Sequence, residues 1–229
     1  MPIDPFRLCV ALGPVAMYLL LLGAVNLSRR SLLVSGVRDA AALALAVSGL
    51  VVIGPMELFY PFESAAKLGS CVWLLLLALY VMCVVLWLLL LRPRLIIYNN
   101  SAEKLRPILA DVVSQFDADA RWAGDGLAIP GLGIQLYIDA FTPLGNVSLV
   151  SAGGNQSHAG WRRLEAALRA ALAREEVGRN PRGLILIFAG LLCVSGIVLA
   201  IAHDPETVAR SLFGLLDIAR SLLRMPGGQ

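Results

Sequence analysis

Charged residues are scarce in this chain: they make up 15% of its 229 residues, whereas hydrophobic residues make up 58%. A soluble domain usually carries about a quarter charged residues. The net charge of +3 is small, so the composition gives no general argument for binding to nucleic acid. The deficit comes from four nearly pure apolar stretches, as is typical of a chain that crosses a bilayer.

Metal ligands and reactive side chains are also few. The chain has two histidines, His158 and His203, and four cysteines that lie in or beside the apolar stretches without a CxxC pair. These spacings match neither a zinc site nor a disulfide framework, and no P-loop or dinucleotide motif occurs. We therefore predict no metal, no cofactor and no catalytic residues. The preference for arginine over lysine suggests a bacterial source.

The four apolar stretches are long enough to cross about 30 Å of hydrocarbon as helices. We predict membrane helices over residues 7–27, 39–60, 71–91 and 183–202. The first stretch differs from a signal peptide because an acidic start precedes it and two arginines follow it. In the second, Ala40, Ala44 and Ser48 recur at every fourth position and indicate a face for close helix packing.

Arginines at the ends of these stretches predict the orientation in the cell membrane. Both termini are expected outside, and residues 93–182 in the cytoplasm. The same arginines are candidates for contact with anionic lipid headgroups, although their effect on topology explains them equally well: Arg29, Arg30, Arg38, Arg92, Arg94 and Arg182. Glu57 is the one acidic residue inside an apolar stretch, where ionisable groups are functional candidates. Its place near the external end, where it can reach water, favours an interfacial position over an ion or proton role.

Residues 93–182 read as a small α+β domain inserted between the third and fourth membrane helices. A strand is predicted over 94–99, and a capping-box-like start at Asn100–Glu103 then begins a helix that continues to Phe116. Pro107 is expected to kink this helix or to mark a later start.

Short strands follow, separated by turns, at 120–123, 127–129, 134–139 and 146–152. The last predicted helix, 158–177, carries Trp161, Leu164, Leu168 and Leu172 on one face. The predicted order of the domain is β-α-β-β-β-β-α.

Gly153, Gly154 and Asn155 precede this last helix and form a candidate anion-binding loop, because such loops offer free backbone N–H groups. The sequence favours an ordinary flexible loop over this anion-binding role, because the segment matches neither a P-loop nor a dinucleotide motif. Residues 204–229 show an apolar and a polar face, which predicts an amphipathic helix on the outer membrane surface, with a frayed end. Packing on a partner subunit is the alternative for this helix.

The predicted fold class is an α-helical multi-pass membrane protein with about four transmembrane helices, the inserted α+β domain and a C-terminal amphipathic helix. Its regions are residues 1–92, 93–182, 183–203 and 204–229. We expect a membrane-anchored interaction or accessory subunit that presents the cytoplasmic domain. The alternatives are a membrane enzyme acting on a lipid-linked or anionic substrate, and an oligomeric channel or transporter component. The expected partners are the lipid bilayer and either another protein or a second copy, and not nucleic acid.

Overall fold

The computed structural model describes residues 4–58, 61, 71–141, 145–154, 156–175, 177, 178 and 180–206. Among these, four helices are long and apolar enough to cross a membrane by length and composition. They are α1 (Pro5–Leu27), α2 (Gly36–Val51, continued by a π-helix over Val52–Met56), α3 (Cys71–Leu90) and α6 (Gly183–His203). The prediction of four such helices is confirmed. The amphipathic helix predicted for 204–229 lies almost entirely outside the described residues.

Helix α2 begins earlier than predicted and contains a π-helical segment, while its predicted end at residue 60 lies outside the described residues. The helix begins at Gly36, three residues before the predicted start, so that Arg38 and Asp39 belong to its first turns. Near its end the chain widens into a π-helix that contains Pro55. Proline has no N–H for the ordinary α-helical hydrogen bond, and a wider turn accommodates that missing donor.

The described residues also form one six-stranded antiparallel sheet, with strand order β1-β2-β6-β5-β4-β3. Its strands are β1 (Leu32–Ser35), β2 (Arg94–Tyr98), β3 (Arg121–Ala123), β4 (Gly126–Ile129), β5 (Ile134–Phe141) and β6 (Asn146–Ser151). Five of them occupy the predicted positions.

Strand β1 was not predicted. It lies in the segment between α1 and α2 and pairs antiparallel with β2, with Leu33 opposite Ile97. The sheet therefore includes a strand from outside residues 93–182. The sequence does not predict this strand because only one of its side chains, Leu33, enters the core. One buried position produces no alternation of apolar and polar residues.

Helices α4 (Ala102–Ser114) and α5 (His158–Leu172) share one apolar core with the sheet. The register places Leu33, Ile97 and Val147 in one row across the sheet, and Leu95, Leu149 and Ile138 in the next. All six belong to the core. Both helices therefore cover the same face of the sheet. The residues of β5 alternate between buried and exposed from Ile134 to Asp139.

Three details of these two helices differ from the prediction. The N-cap of α4 is Ser101, and no side chain caps the helix; Asn100 Oδ1 instead accepts the N–H of Ser101. The predicted capping box is therefore wrong, and so is a later start at Pro107, which lies inside the continuous helix. Helix α4 ends at Ser114, two residues before its predicted end at Phe116, whose side chain is 42% exposed.

The chain divides into two compact units. One unit comprises Met1–Tyr18, Ala44–Leu86 and Ala189–Gln229, as far as these residues are described, and holds long parts of the four apolar helices. Inside it, Tyr80 Oη donates to the carbonyl oxygen of Ala44 at 2.7 Å. The other unit, Leu19–Leu43 with Trp87–Phe188, contains the whole sheet, α4, α5 and the adjoining parts of the apolar helices.

Candidate functional site

A cleft of about 410 Å³ brings together two sites that the sequence suggested separately. Its lining is Arg92, Pro93, Ser151, Gly153, Gly154, Gln156 and His158. Arg92 was a candidate for headgroup contact, and Gly153 and Gly154 belong to the candidate anion loop. We call this site the Arg92 cleft. Asn155, the third residue of the predicted loop, lies outside the described residues.

The wall that carries Arg92 is fixed by main-chain hydrogen bonds. Arg92 follows the end of α3 by two residues, and the next residue, Pro93, accepts the N–H of Ser151 at 3.1 Å. Ser151 is the last residue of β6. The N–H of Ala152 then donates to the carbonyl oxygen of Gln135 at 2.8 Å. The segment leaving the apolar helix is thus attached to the end of the sheet.

The opposite wall is the beginning of α5. Gln156 donates to the carbonyl oxygen of Gln135 at 3.1 Å, and its Oε1 accepts the indole N–H of Trp161 at 3.1 Å. Ser157, the N-cap, accepts the N–H of Gly160 at 3.1 Å through its hydroxyl oxygen. These bonds place His158, the first residue of the helix, on the cleft.

Among the described residues, the lining of the Arg92 cleft contains one cationic side chain, Arg92, and no carboxylate. Arg92 is exposed to solvent, while Ser151 is only 2% exposed. Gly153 has a φ of +87°, a left-handed conformation that side chains disfavour, which explains the glycine at this position. The cleft therefore combines an arginine, a histidine, a buried hydroxyl and a helix N-terminus, which are groups suited to an anion.

Ser151 and His158 were not selected from the sequence as site residues. Both belong to the segment 151–158, which contains the glycines of the candidate anion-binding loop. The burial of Ser151 follows from the register of β5 and β6, where it faces Leu136 on the core side of the sheet. The sequence carries no signal for that register, so only the fold identifies this hydroxyl.

A second, smaller cleft of about 180 Å³ contains another predicted arginine, Arg182. Asn99 and Asn100 lie on its wall and are both buried. The amide of Asn99 donates to the carbonyl oxygen of Ser28 at 2.7 Å, and its φ of +58° is one that asparagine adopts more readily than most residues. The complete lining is Asn99, Asn100, Ser101, Lys104, Gly145, Val177, Asn180 and Arg182.

The remaining candidate arginines do not join either cleft. Arg29, Arg30 and Arg38 are exposed. Arg94 lies in β2 with its side chain against Gly36, and its Nε is buried without a hydrogen-bond partner among the described residues. The structure thus separates Arg92 and Arg182 from the other four by placing each in a concave site.

Glu57 forms an ion pair with Arg7 that the sequence did not predict. Arg7 Nη1 lies 2.7 Å from Glu57 Oε1, and both side chains are partly exposed. Arg7 also lies 3.8 Å from Asp4. This ion pair gives Glu57 a structural partner at the ends of α1 and α2, which is a sufficient reason for its presence in an apolar stretch.

Within the described ranges, no group of three His, Cys, Asp or Glu side chains is placed to hold a metal ion. Comparison of the chain with protein-family models, with curated proteins and with solved structures finds no match.

Proposed function

We propose that this protein is a membrane-anchored interaction or accessory subunit that presents its α+β domain at the cytoplasmic face of the cell membrane. The four apolar helices support the anchoring, because their exposed surfaces are largely leucine, valine and isoleucine. The arginines that follow α1 and α3 and precede α6 support a cytoplasmic domain, with both termini outside.

One observation supports this proposal more than any other: β1, which connects α1 to α2, is a strand of the domain's own sheet. A domain joined to membrane helices only by its two ends would be free to move on linkers. Here a third chain segment, between two other apolar helices, is hydrogen-bonded into the sheet. This additional pairing between the sheet and the segment that joins α1 to α2 supports a domain that is presented beside the ends of these helices.

Further hydrogen bonds attach the domain to the end of α1, to the segment that follows it and to the first turn of α2. The N–H of Val177 donates to the carbonyl oxygen of Arg29 at 3.0 Å, and the N–H of Asn180 donates to that of Asn26 at 3.1 Å. The hydroxyl of Tyr98, in β2, donates to the carboxylate of Asp39 in the first turn of α2. These bonds all lie within one compact unit, which supports a domain built onto the helix ends.

The sheet offers two exposed positions for a partner, one on each face. All three residues of β3 are exposed, and the Arg106 guanidinium lies 5.4 Å from the centre of the Trp122 ring. Tyr137, on the other face of the sheet, is 42% exposed. Exposed tryptophan, tyrosine and arginine are the residues most enriched in protein interfaces.

Site-specific labelling tests the orientation. In a chain whose four cysteines are replaced, the variant Asp119→Cys carries a single thiol on an exposed turn of the domain. A membrane-impermeant maleimide is expected to label it only after the cells are opened. Labelling of intact cells would reject the cytoplasmic placement.

Photo-crosslinking tests the presentation of the domain. A photoreactive amino acid at Trp122 or Tyr137 should give a discrete protein adduct in cells. The same amino acid at Leu86, an exposed position of α3, is the matched control and should give adducts with lipid. If neither Trp122 nor Tyr137 gave a protein adduct, an interaction role for these two exposed positions would be rejected.

A further inference from the structure

We propose that the Arg92 cleft binds a phosphate group, carried either by a phospholipid headgroup or by a soluble phosphate ester. The lipid source rests on the proposed function, because it requires the cleft to lie at the membrane surface. The phosphate chemistry itself does not, since it follows from the groups that line the cleft.

The one formal charge in the lining of the cleft, that of Arg92, favours an anion. Arg92 supplies a guanidinium, which binds phosphate oxygens in a bidentate manner, and His158 supplies an imidazole. No carboxylate lies in the lining to compete with a bound anion. The cleft also contains the N-terminus of α5, where the helix dipole places partial positive charge.

Backbone donors remain available at this helix end. In an α-helix the first N–H groups have no acceptor within the helix. The hydroxyl of Ser157 accepts the third of these, from Gly160, which leaves those of His158 and Ala159 without an intrahelical acceptor. A phosphate at a helix N-terminus accepts such N–H groups.

Ser151 is the independent indication that a ligand belongs in the cleft. Its side chain is among the most buried polar groups of the protein, at 2% exposure, and it stands on the cleft wall. Among the described residues, its hydroxyl makes no hydrogen bond, and its oxygen is not one of the fully enclosed side-chain atoms without a partner, so it is open to the cleft. Buried hydroxyl groups are ordinarily satisfied, and a phosphate oxygen in the cleft would accept this O–H.

The two glycines leave the entrance of the cleft open. A side-chain carbon added at Gly154 would meet nothing within 4 Å, and Gly153 holds a backbone conformation that side chains disfavour. Arg92 lies two residues beyond α3. A headgroup phosphate at the end of that helix is therefore within reach of the guanidinium.

The test uses the full chain, purified in detergent and stripped of lipid. The probes for the soluble source are inorganic phosphate and glycerol 3-phosphate, whose ³¹P resonances broaden on binding. The probe for the lipid source is phosphatidylglycerol, counted as lipid retained per chain by native mass spectrometry. The variants are Arg92→Gln and Ser151→Ala. The matched controls are Arg174→Gln, at an exposed arginine beyond the end of α5, and Ser114→Ala, at an exposed serine of α4.

Loss of the charged donor in Arg92→Gln is expected to weaken phosphate binding about tenfold or more, and loss of the hydroxyl in Ser151→Ala about fivefold. Both controls should bind as the unchanged chain does. Retention of phosphatidylglycerol that depends on Arg92 and Ser151 would identify the lipid source, and dependence seen only with the small phosphates would identify the soluble one.

No binding of any probe, or equal binding by variants and controls, would overturn the proposal. These outcomes are independent of the proposed function, because binding in detergent does not depend on membrane orientation. A chain labelled from outside the cell at Asp119→Cys can still bind phosphate, and a correctly oriented chain can fail to bind it.

Discussion

Gly23 and Gly183 lie against each other where α1 and α6 meet. A methyl group at Gly183 would lie 2.8 Å from the carbonyl oxygen of Gly23, and a methyl group at Gly23 would lie 2.9 Å from that of Gly183. Both distances are shorter than atoms allow, and the obstacle in each case is backbone. Glycine at both positions is therefore what lets the two helices approach so closely.

Replacement of either glycine by alanine should destabilise this contact. We expect Gly183→Ala to cost about 1–3 kcal/mol as overpacking, partly offset by the better helix propensity of alanine, about 1 kcal/mol. Thermal unfolding in detergent measures the change. Gly196→Ala, in the same helix but with nothing within 4 Å of the added carbon, is the control and should be neutral or stabilising. Equal stability of the two variants would contradict the close contact.

Gly49 plays the corresponding role between α1 and α2. A side-chain carbon at Gly49 would overlap the carbonyl oxygen of Val10. We expect Gly49→Ala to force the two helices apart and to lower the midpoint of thermal unfolding. Gly13→Ala, on α1 with nothing within 4 Å of the added carbon, should leave the midpoint unchanged. A Gly49→Ala chain as stable as the Gly13→Ala chain would show that α1 and α2 are not in contact there.

The sequence predicted part of this packing. The spacing of Ala40, Ala44 and Ser48 indicated a small-residue face, and Ala40 and Ala44 are indeed buried. Ser48 is only partly buried and bonds the carbonyl oxygen of Leu45 in its own helix. The closest approach is at Gly49, one residue later. Periodicity shows which face of a helix carries small side chains. The position at which another helix comes closest depends on that partner helix as well.

The domain was predictable where side chains alternate or form a stripe, because burial on one face imposes those patterns. The strand β5 and the helix α5 are examples. The sequence indicated Arg92 and Gly153 as parts of two separate candidate sites, because they lie about 60 residues apart. The antiparallel pairing of strands brings them together in one cleft. Strand β1 is so short that its pairing depends on β2, a tertiary contact that local sequence does not encode.

The pairing of β1 with the sheet gives a third prediction. Leu33 is 6% exposed and belongs to the core, whereas its neighbour Leu32 is 43% exposed on the other face. Leu33→Ala should cost about 2–5 kcal/mol, as is usual for a buried leucine, and should expose the domain to proteases at lower temperature. Leu32→Ala makes the same change at an exposed position and should cost far less. Equal losses would indicate that β1 does not pair in the register described.

The two cap serines of the domain give the last prediction. Ser157 accepts the N–H of Gly160 at the start of α5, while Ser101 occupies the same position of α4 without any side-chain hydrogen bond. Ser157→Ala should therefore reduce the free energy of unfolding by about 1 kcal/mol. Ser101→Ala should change it far less, since no side-chain cap is lost. Chemical denaturation of the two variants in the same detergent measures the difference. If Ser101→Ala proved as costly as Ser157→Ala, helix capping would not explain the effect, and the geometry given for the start of α5 would be wrong.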